Sequence, residues 1–116
     1  MQGKRLIVRF YATERGHEPV RDWLRGLESS ERKAIGADIK TVEFGWPIGM
    51  PTCRSMGKGL FEVRSRLPSG KIARVLFCID AGEMILLHGF IKKSQKTPQQ
   101  ELKLALQRKQ SLEERP

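Results

Sequence analysis

The sequence predicts an α+β fold: a small antiparallel β-sheet made of an N-terminal strand plus a three-strand meander, with two N-terminal helices and a C-terminal helix. Three observations carry that prediction. Apolar residues recur at helical spacing between Pro19 and Phe44. They recur in three strand-length runs between Leu60 and Ile91, and those runs are separated by two short loops that each end in glycine. With 116 residues, 39% of them hydrophobic and 30% charged, the chain has the size and composition of one globular unit, and residues 1–116 are assigned to a single domain.

The first strand is read from Lys4 to Ala12, with Leu6, Val8 and Phe10 toward the core. Pro19 suits a first helical turn, and Val20, Trp23, Leu24 and Leu27 follow as one apolar stripe. A second helix is expected after Ser29 or Ser30 as cap. It carries Ile35, Ile39 and Val42 on one face as far as Phe44, with Gly45 as its stop. Trp46 to Pro51, with two prolines and a glycine, reads as a loop. The meander strands are Leu60 to Leu67, Lys71 to Ile79 and Glu83 to Ile91, joined by Pro68-Ser69-Gly70 and Asp80-Ala81-Gly82. In the last helix Thr97 is the expected cap, Pro98 the first residue and Gln100 its capping-box partner, with Leu102, Ala105 and Leu106 as the apolar stripe.

Taking both meander loops as three residues long sets a register. Phe61 then faces Phe77, Val63 faces Val75 and Arg64 faces Arg74; on the other side Phe77 meets Ile85, Val75 meets Leu87 and Arg74 meets His88. One sheet face is apolar under this register, and the other carries a polar row, Arg64, Arg74 and His88.

The formal charge is +9, from 22 Lys and Arg against 13 Asp and Glu, and it is concentrated. Between Cys53 and Arg74 the bases Arg54, Lys58, Arg64, Arg66, Lys71 and Arg74 meet one acid, Glu62. Between Lys92 and Gln110 the bases Lys92, Lys93, Lys96, Lys103, Arg108 and Lys109 meet one acid, Glu101. Such segments suit a surface that meets a polyanion or an acidic protein. No apolar run is long enough for a membrane span and the N-terminus has no signal-peptide pattern, so no membrane association is expected and the cytoplasm is the expected compartment. Cys53 and Cys78 make neither a disulfide framework nor a zinc site. With scattered acids and two histidines, His17 and His88, no metal and no cofactor are expected.

Two arginines and a histidine side by side are costly unless their face is wet or meets an anion. The functional reading is a phosphate site. Arg64 and Arg74 would grip phosphate oxygens with their planar forks and stabilise charge on a phosphorane-like transition state. His88 would move a proton, as RNA cleavage through its own 2′-hydroxyl requires. Glu62 is a second possible acid or base on that face. Arg54, Lys58, Arg66, Lys92, Lys93 and Lys96 would line the approach of the nucleic-acid backbone. On this reading, alanine at Arg64 or Arg74 leaves the fold intact. The plainer reading pairs Arg64 with Glu62 or another acid, spreads Arg74 over solvent and packs His88 on Phe90. Cys78 reads as a small core residue, Trp23 and Trp46 as packing residues, and Gly57-Lys58-Gly59 as a turn without a nucleotide-loop pattern.

Met56-Gly57-Lys58-Gly59-Leu60-Phe61-Glu62-Val63-Arg64, then Ile72-Ala73-Arg74-Val75-Leu76-Phe77, then Leu86 to Pro98 around His88-Gly89-Phe90-Ile91-Lys92-Lys93 occur in an order and spacing that resemble the RelE/ParE superfamily of toxins. Within it, they resemble the phage-derived, HigB-like branch. The resemblance implies a RelE-like fold and the toxin of a type II toxin-antitoxin system. It implies a ribosome-dependent endoribonuclease that cleaves mRNA and inhibits translation, with a cognate antitoxin, often of helix-turn-helix type, as partner. It also implies that Arg64 and Arg74 bind phosphate. Two other readings stay open: a ParE-like toxin that binds and inhibits DNA gyrase, and a non-catalytic RNA-binding protein.

Overall fold

Strand alternation from Leu60 onward buries residues on both sides of the sheet, and this doubled burial organises the whole molecule. The computed structural model describes residues 3–92 and 96–115. Their elements are β1 (Ile7–Phe10), α1 (Pro19–Arg25), α2 (Ser29–Gly45), β2 (Cys53–Gly57), β3 (Leu60–Arg66), β4 (Ile72–Asp80), β5 (Glu83–Lys92) and α3 (Gln99–Glu113). The class is α+β, consistent with a RelE-like fold. One five-stranded sheet has the order β1-β5-β4-β3-β2.

The sheet differs from the expected one in two ways. It is mixed, not antiparallel throughout, because β1 pairs with β5 in parallel. Alternation marks which residues face inward but carries no strand direction, and the two strands lie far enough apart in sequence for any crossover. A further strand, β2, pairs antiparallel with β3 at the free edge. It escapes the apolar pattern because an edge strand needs little burial: Cys53 is buried and Met56 half-buried, while Arg54 and Ser55 are exposed. β1 is also shorter than expected. Its outer edge is held by α2, where Glu43 Oε2 accepts the Val8 N–H at 3.0 Å and the Glu43 carbonyl accepts those of Arg5 and Leu6.

The first hairpin is as expected. Leu67 N–H donates to the Lys71 carbonyl at 2.9 Å, Gly70 takes φ +88°, and Arg64 lies opposite Arg74. The second corrects the register. Its loop is two residues, Ala81 and Gly82, at φ +50° and +79°, so Asp80 pairs with Glu83 and Phe77 with Leu86 rather than Ile85. A bulge then inserts Leu87, which moves the partner of Leu76 to His88, of Val75 to Gly89 and of Arg74 to Phe90. Two one-residue shifts restore which face each side chain takes, but they carry His88 away from Arg74.

The helix starts are corrected too. Glu28 caps α2, its N–H bonded by the Glu31 side chain at 3.2 Å, and Ser29 and Ser30 lie inside the first turn. Pro98, extended at φ −62° and ψ 145°, caps α3, so Thr97 is released from that duty.

Helices cover both faces of the sheet. Against α1 and α2 lie Val63, Val75, Phe77, Met84 and Leu86, with Trp46 edge-on to Phe61 at 4.9 Å between ring centroids. Against α3 lie Leu60, Leu76, Cys78, Ile85, Leu87 and Phe90. The second face is therefore not the open polar one expected. Among the described residues no helix is long and apolar enough to cross a membrane.

Gly89 marks the tightest approach of helix to sheet: a Cβ there would lie 2.4 Å from Cζ3 of Trp23. Gly89→Ala should lower stability by about 1 to 3 kcal/mol, measured by urea denaturation, because an indole wedged between α1 and β5 has to move as a whole.

Candidate functional site

Directly paired residues of antiparallel strands point to the same face, so the register writes three rows across β2 to β5 on the α3 side. The first is Arg54, Glu62, Leu76 and His88; the second Arg64, Arg74 and Phe90; the third Arg66, Ile72 and Lys92. The apolar stripe of α3 needs Leu60, Leu76, Ile85 and Leu87, and so it covers one end of the face. At the other end Arg54, Arg66 and Lys92 are exposed and Arg64 is partly so.

Behind that basic end lies a buried charge network. Arg74 and Glu62 are both 0% exposed. Arg64 Nε stands 3.8 Å from Glu62 Oε1, and Arg74 donates from a terminal nitrogen to Thr97 Oγ1 at 3.3 Å, while the Thr97 hydroxyl donates to Glu62 Oε2. One carboxylate thus offsets two guanidiniums that would otherwise repel across the strand pair. Burial pushes the Arg74 pKa down, Glu62 pulls it back up, and Arg64 and Arg54 push it down further; an arginine starts so high that it stays charged. Arg74 is therefore an interior residue and not one spread over a wet face. Thr97, expected as a helix cap, is the hydroxyl that joins the two charges.

His88 stays on this face but outside the arginine row. Its ring stacks on Phe90 at 5.7 Å, as the plainer reading has it, and Nε2 lies 3.2 Å from Glu101 Oε1 on α3. Arg108, also on α3, approaches Nδ1 at 3.5 Å and donates to the Leu87 carbonyl at 2.8 Å. With a guanidinium at Nδ1, the ring proton belongs on Nε2, facing the carboxylate. Burial lowers the Arg108 pKa.

The other basic residues divide. Lys58 sits exposed at φ +56° in the β2–β3 turn, and Lys96 is exposed just before Thr97. Lys93 lies outside the described residues. Arg66 and Lys92 close the open end of the sheet.

The protein is thus a small α+β domain whose sheet has a basic, helix-free end with a buried Glu-Arg-Thr network behind it. The family model for Phage derived protein Gp49-like (DUF891) matches residues 22–110, from α1 to α3. The chain belongs to that family, which is of the RelE toxin type and is associated with the toxins of toxin-antitoxin systems. No curated protein matches the chain.

Two expectations follow. Arg74→Ala leaves the Glu62 carboxylate buried with less compensation and should cost about 3 to 5 kcal/mol, read by chemical denaturation. The expectation that this variant spares the fold is thereby revised, and adding Glu62→Gln should recover part of the loss. Burial pushes the Cys53 thiol up to about 11 and raises that of Cys78. At pH 8 both are protonated and covered, so a thiol reagent such as DTNB should label neither until denaturant unfolds the protein; fast labelling of native protein would contradict the buried placement.

Proposed function

We propose that the protein is the toxin of a type II toxin-antitoxin pair, of the HigB-like branch, and acts in the cytoplasm as a ribosome-dependent, metal-independent mRNA endoribonuclease. The observation that supports this reading best is the basic end of the sheet, Arg54, Arg64, Arg66 and Lys92, left uncovered by α3. An RNA backbone laid across it meets cations at successive phosphates.

The chemistry is transesterification within the RNA. The 2′-hydroxyl oxygen attacks its own phosphorus, the bond to the 5′-oxygen breaks, and the products are a 2′,3′-cyclic phosphate and a 5′-hydroxyl. Arg64 binds the non-bridging oxygens as charge builds on them. Arg74 and Glu62, too deep to touch RNA in this arrangement, hold Arg64 in place from beneath. His88, engaged by Glu101, is read as a residue that seats α3. Among the described residues, the two rows that hold Arg64 and Arg66 carry no carboxylate or imidazole, so most of the rate would come from the ribosome holding the mRNA in line, an effect worth roughly 7 to 11 kcal/mol. Lys58, Lys92, Lys93 and Lys96 serve the approach. The cognate antitoxin, of helix-turn-helix type, would cover the same cations with an acidic segment.

Programmed ribosomes with defined mRNA test this directly. Wild type should cut the mRNA at codon-spaced sites, leave cyclic phosphate ends and cut naked RNA poorly. Arg64→Ala should slow cutting about 100-fold or more under conditions where its denaturation curve shows the variant still folded, whereas His88→Gln should be milder. Intact mRNA with DNA damage on induction would instead indicate a gyrase-binding toxin, and RNA binding without cutting a non-catalytic protein.

A further inference from the structure

Arg64 also lines a cleft of about 310 Å³ at the corner where α2, the loop before β2 and the β3–β4 hairpin meet. Its other lining residues are Arg66, Asp38, Thr52, Met50, Pro51 and Ile72. That size is at the low end of ligand pockets and suits one nucleotide. Its chemistry is divided in the same way: two guanidiniums for a phosphate, a flat apolar side from Met50, Pro51 and Ile72 for a ring, and one carboxylate, Asp38. Asp38 comes from the opposite face of the sheet from the basic row, so only the fold brings it to Arg64. It has no ion pair among the described residues, although two arginines share its cleft.

A carboxylate in such a position selects among bases, because it only accepts hydrogen bonds. Guanine alone presents two adjacent donors on its Watson–Crick edge, N1–H and the N2 amino group. Adenine and cytosine each set one amino group beside a ring acceptor, and uracil sets one N–H between two carbonyls. An unpaired base in single-stranded RNA shows that edge to the protein. We propose that this cleft is a guanine-nucleotide subsite, with the 5′-phosphate on Arg64 and Arg66, the ring against Met50, Pro51 and Ile72, and the base edge on Asp38. The inference rests on reading Arg64 as a phosphate-binding residue. It adds a preference for guanine beside the phosphate that Arg64 holds.

Titrating the full chain with each of the four ribonucleoside 5′-monophosphates, followed by amide NMR shifts, tests the site without requiring cleavage. Guanosine monophosphate should bind about tenfold or more tighter than the other three and should shift the amides of Asp38, Thr52 and Arg64. Asp38→Asn should erase the preference while weak phosphate binding survives, and Arg64→Ala should weaken all four. Equal binding of the four nucleotides, shifts confined to other residues, or an Asp38→Asn variant that keeps the preference would each overturn the proposal. Mapping cut sites on ribosomes separates the two ideas. Guanine-selective binding without any cutting removes the endoribonuclease and keeps the subsite, whereas cutting with no base preference and no guanine-selective binding does the reverse.

Discussion

Glu62 and Arg74 are charged, lie on neighbouring strands and have no exposed surface, and much of the rest follows from where they can be tolerated. Removing two ions from water costs several kcal/mol each, and only close pairing with further hydrogen bonds returns it. Here the return comes from Thr97, whose hydroxyl bridges the pair, and from Arg64 at the edge of the same carboxylate. The network also constrains register. A one-residue slip of β3 or β4 would turn these charges toward Val42, Trp46 and the aromatic residues of the other core, where nothing answers them. It also dictates how the chain reaches α3, since Thr97 has to arrive at the buried pair before the helix begins.

The docking of α3 depends on a second local irregularity. The bulge at Leu87 interrupts the β4–β5 ladder, and the Leu87 carbonyl is taken by Arg108 from α3. Arg108 and Arg115 lie over the Tyr11 ring at 5.7 and 5.4 Å, and Arg115 donates to the Ala12 carbonyl at 2.8 Å. The end of α3 is thus tied to the chain just after β1, and its beginning to β3 and β4 through Thr97. The same bulge moves His88 from the arginine row into contact with Glu101. One extra residue in a strand therefore seats a helix and reassigns a histidine.

These two devices explain the division of the sheet face. Where apolar residues line the strands, α3 lies down; where Arg64, Arg66 and Lys92 follow, it does not, and a cationic end remains on a rigid platform. The family to which the chain belongs is associated with the toxins of toxin-antitoxin systems. Arg74 contributes from beneath by sharing Glu62 with Arg64, without itself reaching solvent.

The α+β class, all three helices, the meander and the first hairpin were legible in the sequence, because each rests on local periodicity or on a loop whose glycine has one favoured conformation. The opposition of Arg64 and Arg74 followed from that first loop alone. The segregation of basic residues was equally plain, since charge is a property of composition. What lay beyond the sequence was whatever depends on neighbours distant along the chain. The parallel pairing of β1, the edge strand β2 with its polar residues, and the bulge at Leu87 are each decided by a partner and not by the segment itself. So is the fate of Arg74: the same guanidinium would lie in solvent on a bare sheet, and here it is buried with Thr97, 23 residues away in sequence, bonded to it. Asp38 shows the limit most clearly, for nothing in its helix marks it, and it shares a cleft with Arg64 only because α2 and the sheet converge at one corner.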